Sequence, residues 1–385
     1  MQWLKWIFVL IGHAGIWCFV FNHIHASSIP RQQRKLTEKL ILAAVVVPVF
    51  LVALKLQLDG TLQMDVFPVW LQWYFWLSVL FGCWLALRWV FRKLTARLPQ
   101  SVTHVETRHC DIQSRLSQPL LAGPKAKFLG RVPFNQVLDL AEEHFDFFKS
   151  DLHPDLEGLK IVQLSDLHFT GCVLPDYFQV VVERANQFQP DLVFITGDLI
   201  DNKRCLGWLD SVFSQLVSRC GVYYVLGNHD RRIEDEVLLR EKLKAAGLIS
   251  AADGTWHDIR IGQALVRIGG NEMPWYPQAA QLQPDRRLER ADLKLLLSHS
   301  PDQIGWAQQY GFDYVFAGHT HGGQIRLPLI GPIVSPSRYG VKYSAGTFQF
   351  GDTVMHVSRG VSSDEPIRIL CPPELTLVTL RKGES

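Results

Sequence analysis

The sequence has little net charge, few cysteines and no low-complexity segment. Its 385 residues include 39 Lys and Arg against 37 Asp and Glu, a balance that excludes a basic nucleic-acid-binding protein of the usual kind. Seven cysteines without a paired spacing exclude a disulfide-built scaffold and indicate free thiols in a reducing compartment. A hydrophobic fraction of 48% excludes a disordered chain and allows a large buried core.

Acidic residues are scarce in the first hundred positions, and this scarcity divides the chain in two. Residues 1–100 hold ten Lys and Arg but three Asp and Glu, together with eight of the 12 tryptophans. The rest of the chain holds 29 basic and 34 acidic residues, a balance that is ordinary for a soluble protein. The composition therefore predicts an apolar, basic region at 1–100 and a soluble body after it.

Three apolar stretches lie in the first region, at residues 6–22, 40–54 and 67–87. A helix needs about 20 apolar residues to cross a bilayer, and Trp and Tyr are enriched where such helices meet the lipid headgroups. The three stretches therefore predict a transmembrane region of about three helices over residues 1–100. A buried core helix is the alternative for the first and third stretches.

Charge predicts how these helices are oriented. The segments 31–39 and 88–97 are basic, whereas the loop at 55–66 carries two acids. Because basic segments stay on the cytoplasmic side, we expect a multi-pass inner-membrane protein whose body faces the cytoplasm. The alternative is a cleaved signal peptide ending near Ala26-Ser27-Ser28, which would reverse this orientation.

The body alternates short apolar runs with longer amphipathic stretches from residue 158 onward. Five of these runs read as strands: LKIVQLS, DLVFITG, GVYYVLG, LKLLLSH and FDYVFAG. Strands that alternate with helices predict an α/β domain over 158–385, with functional groups at the carboxyl ends of the strands. Residues 101–157 are harder to assign and are interpreted as a linker leading into the domain; within them, VLDLAEEHFDFFKSDL fits either a helix or a strand at a sheet edge.

Polar motifs follow each of the five predicted strands. In chain order they supply carboxylate, amide and imidazole groups from Asp166, His168, Asp198, Asn228, His299, His319 and His321. Residues i and i+2 of an extended segment point the same way, so Asp166 and His168 can bind one ion together, and His319 and His321 have the same spacing. This mixture of ligands suits Mn, Fe or Zn better than Mg or Ca. We therefore expect a metal site at this edge of the sheet.

The ordered set Asp-x-His, Gly-Asp, Gly-Asn-His-Asp, His and Gly-His-Thr-His resembles the signature of calcineurin-like metallophosphoesterases. The run GHTHGGQIRLP resembles a membrane-associated branch that includes bacterial phosphodiesterases and UDP-2,3-diacylglucosamine pyrophosphohydrolases. The similarity covers residues 158–380 and leaves the first region outside it. It implies a four-layer α/β/β/α sandwich with two metal ions at the sheet edge. From the ligand types we expect divalent ions, Mn first and Fe or Zn as alternatives.

The resemblance also implies roles for individual residues. One metal would be held by Asp166, His168 and His321, and the other by Asn228, His299 and His319, with Asp198 between them. His229 resembles the general acid of the family, with Asp230 orienting it. Arg231 and Arg232, which follow this motif, are candidate contacts for a second phosphate of the substrate.

These observations predict a membrane-anchored, metal-dependent phosphoester hydrolase. Since an anchor concentrates the enzyme near lipids, the expected substrate is a phosphodiester or pyrophosphate of a lipid or nucleotide-lipid, and the resemblance suggests UDP-2,3-diacylglucosamine. The bilayer is the expected partner, whereas neither a nucleic acid nor an obligate protein partner is expected. Two alternatives stay open: a broad phosphodiesterase or phosphomonoesterase for soluble esters, and a membrane scaffold that has the fold without catalysis.

Overall fold

The computed structural model describes residues 2–59, 67–95, 98–276 and 291–383. The chain divides into two compact units, Met1–Arg97 and Leu98–Ser385. The first unit corresponds to the apolar region of the sequence and the second to the body. All seven cysteines are free thiols.

The first unit consists of three long helices, α1 (Gln2–His25), α2 (Arg31–Asp59) and α3 (Val69–Thr95). Each is long and apolar enough to cross a membrane. The three apolar stretches of the sequence lie within them, except that Phe67 and Pro68 precede α3. The prediction of three membrane-capable helices is therefore confirmed.

Small residues let α1 and α3 pack closely. A Cβ atom placed on Gly12 would lie 1.7 Å from the carbonyl oxygen of Ser78, and one on Gly82 would lie 2.6 Å from that of Phe8. Such small-residue contacts are a common way for helices to associate in lipid. Trp6 and Phe75 add an edge-to-face ring contact with centroids 5.1 Å apart, so this interface is both close and aromatic.

The second unit contains two large sheets. The first has seven strands in the order β1-β2-β15-β3-β4-β5-β6. Their bounds are β1 (Val102–Asp111), β2 (Asp139–Lys149), β3 (Lys160–Leu164), β4 (Leu192–Thr196), β5 (Val222–Val225), β6 (Ile249–Ser250) and β15 (Glu374–Lys382). Strands β3, β4, β5 and β6 run parallel, so the motifs that follow β3, β4 and β5 lie at one edge.

The second sheet has six strands in the order β13-β14-β10-β9-β8-β7. Their bounds are β7 (His257–Ile261), β8 (Ala264–Asn271), β9 (Leu293–Ser298), β10 (Tyr314–Ala317), β13 (Gly346–Phe350) and β14 (Thr353–Val357). A short hairpin, β11 (Arg326–Leu327) and β12 (Gly331–Pro332), follows β10. Strands β8, β9, β10 and β14 are parallel, so their carboxyl ends also share one edge.

The two sheets face each other across a dry core, and helices cover their outer faces. Strand β4 shows how the sequence achieves this, because Leu192 and Phe194 point toward the second sheet whereas Val193 and Ile195 point toward helices. Phe194 meets Phe316 of β10 with ring centroids 5.0 Å apart. The described helices of this unit are α4 (Ile112–Arg115), α5 (Pro124–Leu129), α6 (Pro175–Gln187), α7 (Leu206–Phe213), α8 (Glu236–Ala245) and α9 (Ile304–Gln309).

Helices α6, α7 and α8 pack on the first sheet and α9 packs on the second. The four layers are therefore α/β/β/α, and the predicted fold class is confirmed. The apolar runs predicted as strands correspond to β3, β4, β5, β9 and β10.

Residues 101–157 differ from a linker. They contain β1 and β2, which pair with each other, and β2 also pairs with β15, the last strand of the chain. The acidic pair Glu142-Glu143 obscures the strand pattern, yet both side chains are buried because Arg184 and Arg359 bind them. The segment that fits either a helix or a sheet edge is thus strand β2, and the compact unit begins at Leu98.

Candidate metal centre

The polar motifs converge where the parallel strands of both sheets end. Two groups of side chains, each with ligand atoms within 4.8 Å of one another, share Asp198: one adds Asp166, His168 and His321, and the other adds His299 and His319. The loops after β3, β4, β9 and β10 supply these groups, and Asn228 joins the second from the loop after β5. The structure therefore brings together all seven residues that the sequence indicates as candidate metal ligands.

The first group surrounds His168. Its Nε2 atom lies 3.0 Å from Nε2 of His321 and 3.7 Å from Oδ2 of Asp198, while Nε2 of His321 lies 3.3 Å from Oδ1 of Asp166. On the other side of the ring, Nδ1 of His168 is 2.8 Å from Oδ2 of Asp201. Because a carboxylate can only accept, Nδ1 carries the proton and Nε2 presents a lone pair to the group.

The second group has the same arrangement around His299. Its Nδ1 atom donates to the carbonyl oxygen of Thr196 at 2.7 Å. Its Nε2 atom, left with a lone pair, faces Oδ1 of Asn228 at 3.2 Å and Oδ2 of Asp198 at 3.3 Å. With the imidazole neutral, all three atoms are acceptors directed at one another, so this donor set fits a metal ion.

His319 gives a second, independent reason to expect a cation. Its side chain is buried, and neither ring nitrogen has a hydrogen-bond partner. A buried imidazole without a partner is costly unless it ligates a metal. The indole of Trp275 stacks obliquely against it, with ring centroids 4.7 Å apart, and so forms an apolar wall of the site. The sequence analysis does not identify Trp275.

Backbone strain is concentrated at the same residues. Five of the candidate ligands have a positive φ, between 49° and 71°: Asp166, His168, Asp198, His319 and His321. Such backbone angles are unfavourable for residues other than glycine. They persist where the surrounding structure enforces them, most often at functional sites. The strand ends are therefore shaped to aim these side chains inward.

Two glycines permit the close packing around the carboxylates. A Cβ atom on Gly227 would lie 2.2 Å from Oδ1 of Asp198, and one on Gly360 would lie 2.6 Å from Cβ of Asp166. Gly360 also has a φ of 76°. The backbone approaches the two carboxylates more closely than any larger residue would allow.

The buried carboxylates of the site need positive charge to balance them. Burial opposes a charge on His168 and on His299, yet Asp201 outweighs burial and raises the pKa of His168 to about 10, and Asp198 raises the pKa of His299 to about 9. Burial also opposes ionisation of Asp198, but His299 and His229 hold its pKa well below the usual range. Without another cation, protons on the imidazoles must balance the buried carboxylates, so a divalent ion fits the site electrostatically.

His229 lies at the edge of the cluster, where its side chain is 16% exposed. Its backbone N–H donates to Oδ1 of Asp198 at 2.7 Å, and its Nδ1 lies 2.5 Å from Oδ1 of Asp201. Asp201 therefore contacts two imidazoles, those of His168 and His229, with its two oxygens. Asp201 is not among the residues predicted from the sequence, although 197–201 is a continuous run after β4.

The carboxylate of Asp230, which the resemblance places behind His229, contacts other groups. Its Oδ1 accepts from the backbone N–H groups of Leu199 and Ile200 at 2.9 and 3.0 Å, and its Oδ2 accepts from that of Gly227 at 2.7 Å. The predicted orienting contact is thus made by Asp201, because Asp230 turns inward to join the loops after β4 and β5. Burial and the nearby Asp198 raise the pKa of Asp230 to about 7.

The two candidate phosphate contacts differ in position. The Arg232 guanidinium donates through Nη1 to Oδ1 of Asp201 at 2.5 Å, and its Nη2 lies 3.4 Å from Nε2 of His229 and 3.4 Å from Oδ2 of Asp364. Arg231 is exposed on the same turn. The structure therefore places Arg232, rather than Arg231, against the cluster.

Comparisons with known proteins agree with this geometry. Residues 159–323 match the family model for the calcineurin-like phosphoesterase. The chain is 33% identical to the uncharacterized metallophosphoesterase YkuE of Bacillus subtilis, over 60% of this chain and 83% of that protein. It is 30% identical to the phosphodiesterase YaeI of Escherichia coli, over 63% of this chain and 88% of that protein.

A third relative is the UDP-2,3-diacylglucosamine pyrophosphatase LpxG of Chlamydia trachomatis. The chain is 25% identical to it, over 58% of this chain and 84% of that protein. YaeI is named as a phosphodiesterase and LpxG as a pyrophosphatase, and the cluster at the strand ends can hold divalent metal. The chain therefore belongs to the calcineurin-like phosphoesterase family and is a metal-dependent phosphoester hydrolase.

Proposed function

We propose that the protein is a membrane-anchored hydrolase that uses two metal ions to cleave a phosphodiester or pyrophosphate bond of a lipid or nucleotide-lipid. The observation that carries the two-metal part is the position of Asp198, whose carboxylate belongs to both groups of candidate ligands. One shared carboxylate between two sets of imidazoles is what a pair of adjacent cations requires.

The proposed ligands follow from the two groups. Asp166, His168 and His321 hold one ion, whereas Asn228, His299 and His319 hold the other, with Asp198 shared. The mixture of imidazole with carboxylate and amide oxygen favours Mn, Fe or Zn, and we propose Mn. Asp201 and Thr196 support the ligands from outside, because they accept the Nδ1 protons of His168 and His299.

When bound, two divalent cations would neutralise the phosphate and lower the pKa of a water molecule, so that it would lose a proton to solvent and become a nucleophile. Attack by the resulting hydroxide at phosphorus would break the bond to the leaving oxygen, which then needs a proton. His229 is the proposed donor: Asp201 holds its Nδ1, so Nε2 is the atom that exchanges a proton. Arg232, 3.4 Å from this Nε2, is placed to attract a phosphate oxygen.

The substrate class rests on the first unit and on one relative. Three helices able to cross a membrane would hold the catalytic unit beside lipids. LpxG is named for its action on UDP-2,3-diacylglucosamine, a nucleotide-lipid pyrophosphate, and we propose this compound as the first substrate to test. The relationship to YaeI favours a second candidate, a phosphodiesterase for soluble esters whose helices serve only for placement.

The first experiment uses the full-length protein in detergent with Mn²⁺. Cleavage of UDP-2,3-diacylglucosamine is followed beside cleavage of a chromogenic phosphodiester, with Asp198→Asn as the control for the metal pair. Lipid cleavage that disappears in the variant supports the proposal. Cleavage of the chromogenic ester alone supports the soluble-ester alternative, and retained activity in the variant contradicts the shared role of Asp198.

The proposed location is the inner membrane, with the catalytic unit in the cytoplasm, because the flanking segments 31–39 and 88–97 are basic. A reporter fused after residue 385 tests this orientation. A reporter that is active only in the cytoplasm supports it, whereas one that is active only in the periplasm reverses it and favours cleavage near Ala26.

A further inference from the structure

An apolar surface lies beside the metal centre, on three segments of the second unit. We call it the apolar patch and define it by Phe128, Phe134, Ile325, Leu327, Leu329 and Leu370. The segments come from distant parts of the sequence: the region of α5, the β11–β12 hairpin, and the stretch before β15. None of these residues takes part in the chemistry proposed above.

Backbone hydrogen bonds join the three segments into one surface. Ile369 bridges both neighbours, since it pairs with Asn135 on one side and with Ile325 on the other. The N–H of Arg326 donates to the carbonyl oxygen of Ile369 at 3.0 Å, and the N–H of Ile369 donates to that of Gln324 at 3.1 Å. Phe134 therefore lies opposite Leu370, and Ile325 lies opposite Ile369, the residue before Leu370.

The patch is unusually exposed for apolar side chains. Leu329, at the tip of the hairpin, is 85% exposed, Phe134 is 82% exposed and Phe128 is 70% exposed. In the rest of the described second unit, large apolar residues with comparable exposure, such as Val217 and Val237, lie singly on separate elements. Single exposed apolar residues are normal, but a cluster of this kind marks an interaction surface.

The charges around the patch are mainly positive, although the stretch before β15 also carries Asp364 and Glu365. No acidic residue occurs between Asp111 and Asp139 or between Asp313 and Asp352, the two stretches that contribute α5 and the hairpin. The same stretches carry seven Lys and Arg, listed in chain order as Arg115, Lys125, Lys127, Arg131, Arg326, Arg338 and Lys342. Lys125 pairs with Glu365, whereas Lys127, Arg131 and Arg338 are exposed. Glu365 is paired with Lys125 and Asp364 with Arg232, so the net charge beside the apolar side chains stays positive, as on surfaces that bind anionic lipid.

The hairpin packs directly on the turn that carries His321. A Cβ atom on Gly323 would lie 2.4 Å from Cβ of Pro332, and the Nε of Arg326 donates to the carbonyl oxygen of Gly322 at 2.7 Å. The hairpin of the patch therefore lies directly beside the turn that carries the candidate metal ligand His321.

We propose that the apolar patch docks the second unit on the anionic surface of a lipid bilayer, with Leu329 and Phe134 inserted among the headgroups. The positive rim complements anionic headgroups, and the three membrane-capable helices of the same chain keep a bilayer within reach. A second copy of the chain is a poorer occupant, because its patch would present the same positive rim. Docking would place the mouth of the site at the level where lipid phosphates lie.

The experiment compares hydrogen–deuterium exchange of the full-length protein in nanodiscs of phosphatidylcholine with and without phosphatidylglycerol. Residues 124–135 and 325–333 are expected to exchange at least about threefold more slowly when the anionic lipid is present. In Leu329→Glu, this slowing is expected to disappear from residues 124–135, which the substitution does not alter. Val237→Glu is the matched control, because Val237 is 69% exposed on α8, outside the patch.

Equal exchange in the two lipids contradicts the proposal, as does slowing that survives Leu329→Glu. Slowing that depends on protein concentration rather than on lipid identifies a second copy as the occupant and also overturns it. Unchanged exchange in β3–β5 shows that the variant is folded. The readout involves no turnover, so the docking proposal and the proposed activity fail separately.

Discussion

At the scale of single residues, Asp201 connects the two tasks of the site. Its two oxygens contact different imidazoles, Nδ1 of His168 at 2.8 Å and Nδ1 of His229 at 2.5 Å. Burial disfavours a charged Asp201, but His168 and His229 hold its pKa well below the usual range. One carboxylate thus orients a candidate metal ligand and the proposed proton donor, as supporting carboxylates do in other metal sites.

The substitution Asp201→Asn tests this positioning role. An amide offers one acceptor atom in place of two, so it cannot hold both Nδ1 protons. We expect kcat to fall by about 10²–10⁴ for esters with a poor, alkyl leaving group, which needs the proton from His229. For a nitrophenyl leaving group, which departs without a proton, the fall should be much smaller. The measurement is kcat across leaving groups of different pKa, with Asp210→Asn, an exposed site on α7, as the control.

An equal fall for all leaving groups would show that Asp201 acts mainly through the metal ligand His168. In that case the Mn²⁺ content of the variant should fall together with kcat, and His229 would have no special dependence on Asp201.

Substitutions at Gly254 and Gly360 distinguish the effect of backbone strain from the effect of close packing against Asp166. Gly360 has a φ of 76° and a Cβ there would lie 2.6 Å from Cβ of Asp166, whereas Gly254 has a φ of 89° and open space around its Cβ position. We expect Gly254→Ala and Gly360→Ala each to cost about 1–2 kcal/mol of stability from the left-handed backbone alone. Gly360→Ala should also weaken Mn²⁺ binding by about tenfold or more, because Asp166 must move. Metal titration of both variants is the measurement, and equal affinities would mean that Asp166 has room to adjust.

At the scale of secondary-structure elements, an ionic network that includes none of the candidate metal ligands joins the two sheets. His356 of β14 contacts Glu374 of β15 at 2.8 Å, and Arg359 binds both Glu374 at 3.1 Å and Glu143 of β2 at 2.7 Å. Burial favours the neutral form of Glu374, but Arg359 and His356 outweigh burial and hold its pKa well below the usual range. The network therefore depends on an ionised, buried carboxylate between the sheets.

This network predicts a pH dependence of stability. Because the pKa of Glu374 is depressed on folding, its contribution is complete above its ordinary value of 4.5 and is lost as the pH falls toward the folded-state value. Glu374→Gln should cost about 3–5 kcal/mol at pH 7, since it leaves Arg359 buried with less compensation. The difference in the free energy of unfolding between the variant and the unmodified protein should become smaller as the pH falls below 4.5.

Urea unfolding of the full-length protein in detergent at several pH values measures this gap. Glu241→Gln on the exposed face of α8 is the control and should change stability little at any pH. A gap that stays constant down to acidic pH would show that ionisation of Glu374 is not what stabilises the contact between the sheets.

The sequence predicts the elements whose signals are local. Each of the strands β3, β4, β5, β9 and β10 is an apolar run that ends in a polar motif, so the strand and its catalytic end can be identified together. Strand β2 carries no such signal, because its buried Glu142 and Glu143 depend on Arg184 and Arg359, which lie 42 and 216 positions away. Asp201 is missed for the same reason, since its partners His168 and His229 are 33 and 28 positions away. Contacts of this kind exist only after folding.

At the scale of the whole molecule, the metal centre brings together several features that lower the stability of the folded protein when no cation is bound. The buried carboxylates of Asp166, Asp198 and Asp201 lie together, and His319 is buried without a hydrogen-bond partner. Burying charge without compensation is costly, and the ligands also have strained backbone angles. Because strands of both sheets supply the ligands, a bound cation should stabilise the sandwich as a whole.

Metal binding should therefore raise the stability of the second unit in a measurable way. For one site, Mn²⁺ at a hundredfold excess over its Kd raises the free energy of unfolding by about 2.7 kcal/mol, and a second bound ion raises it further. We expect the midpoint of thermal unfolding to rise when Mn²⁺ is added to chelator-treated protein and to fall again with excess chelator. Asp198→Asn should lose most of the rise, because both groups share that carboxylate. Ca²⁺, which prefers oxygen ligands, should give a smaller shift and serves as the control ion. A midpoint that is the same with chelator, Mn²⁺ and Ca²⁺ would mean that the cluster is already balanced by protons, and the metal-binding role of Asp198 would have to be abandoned.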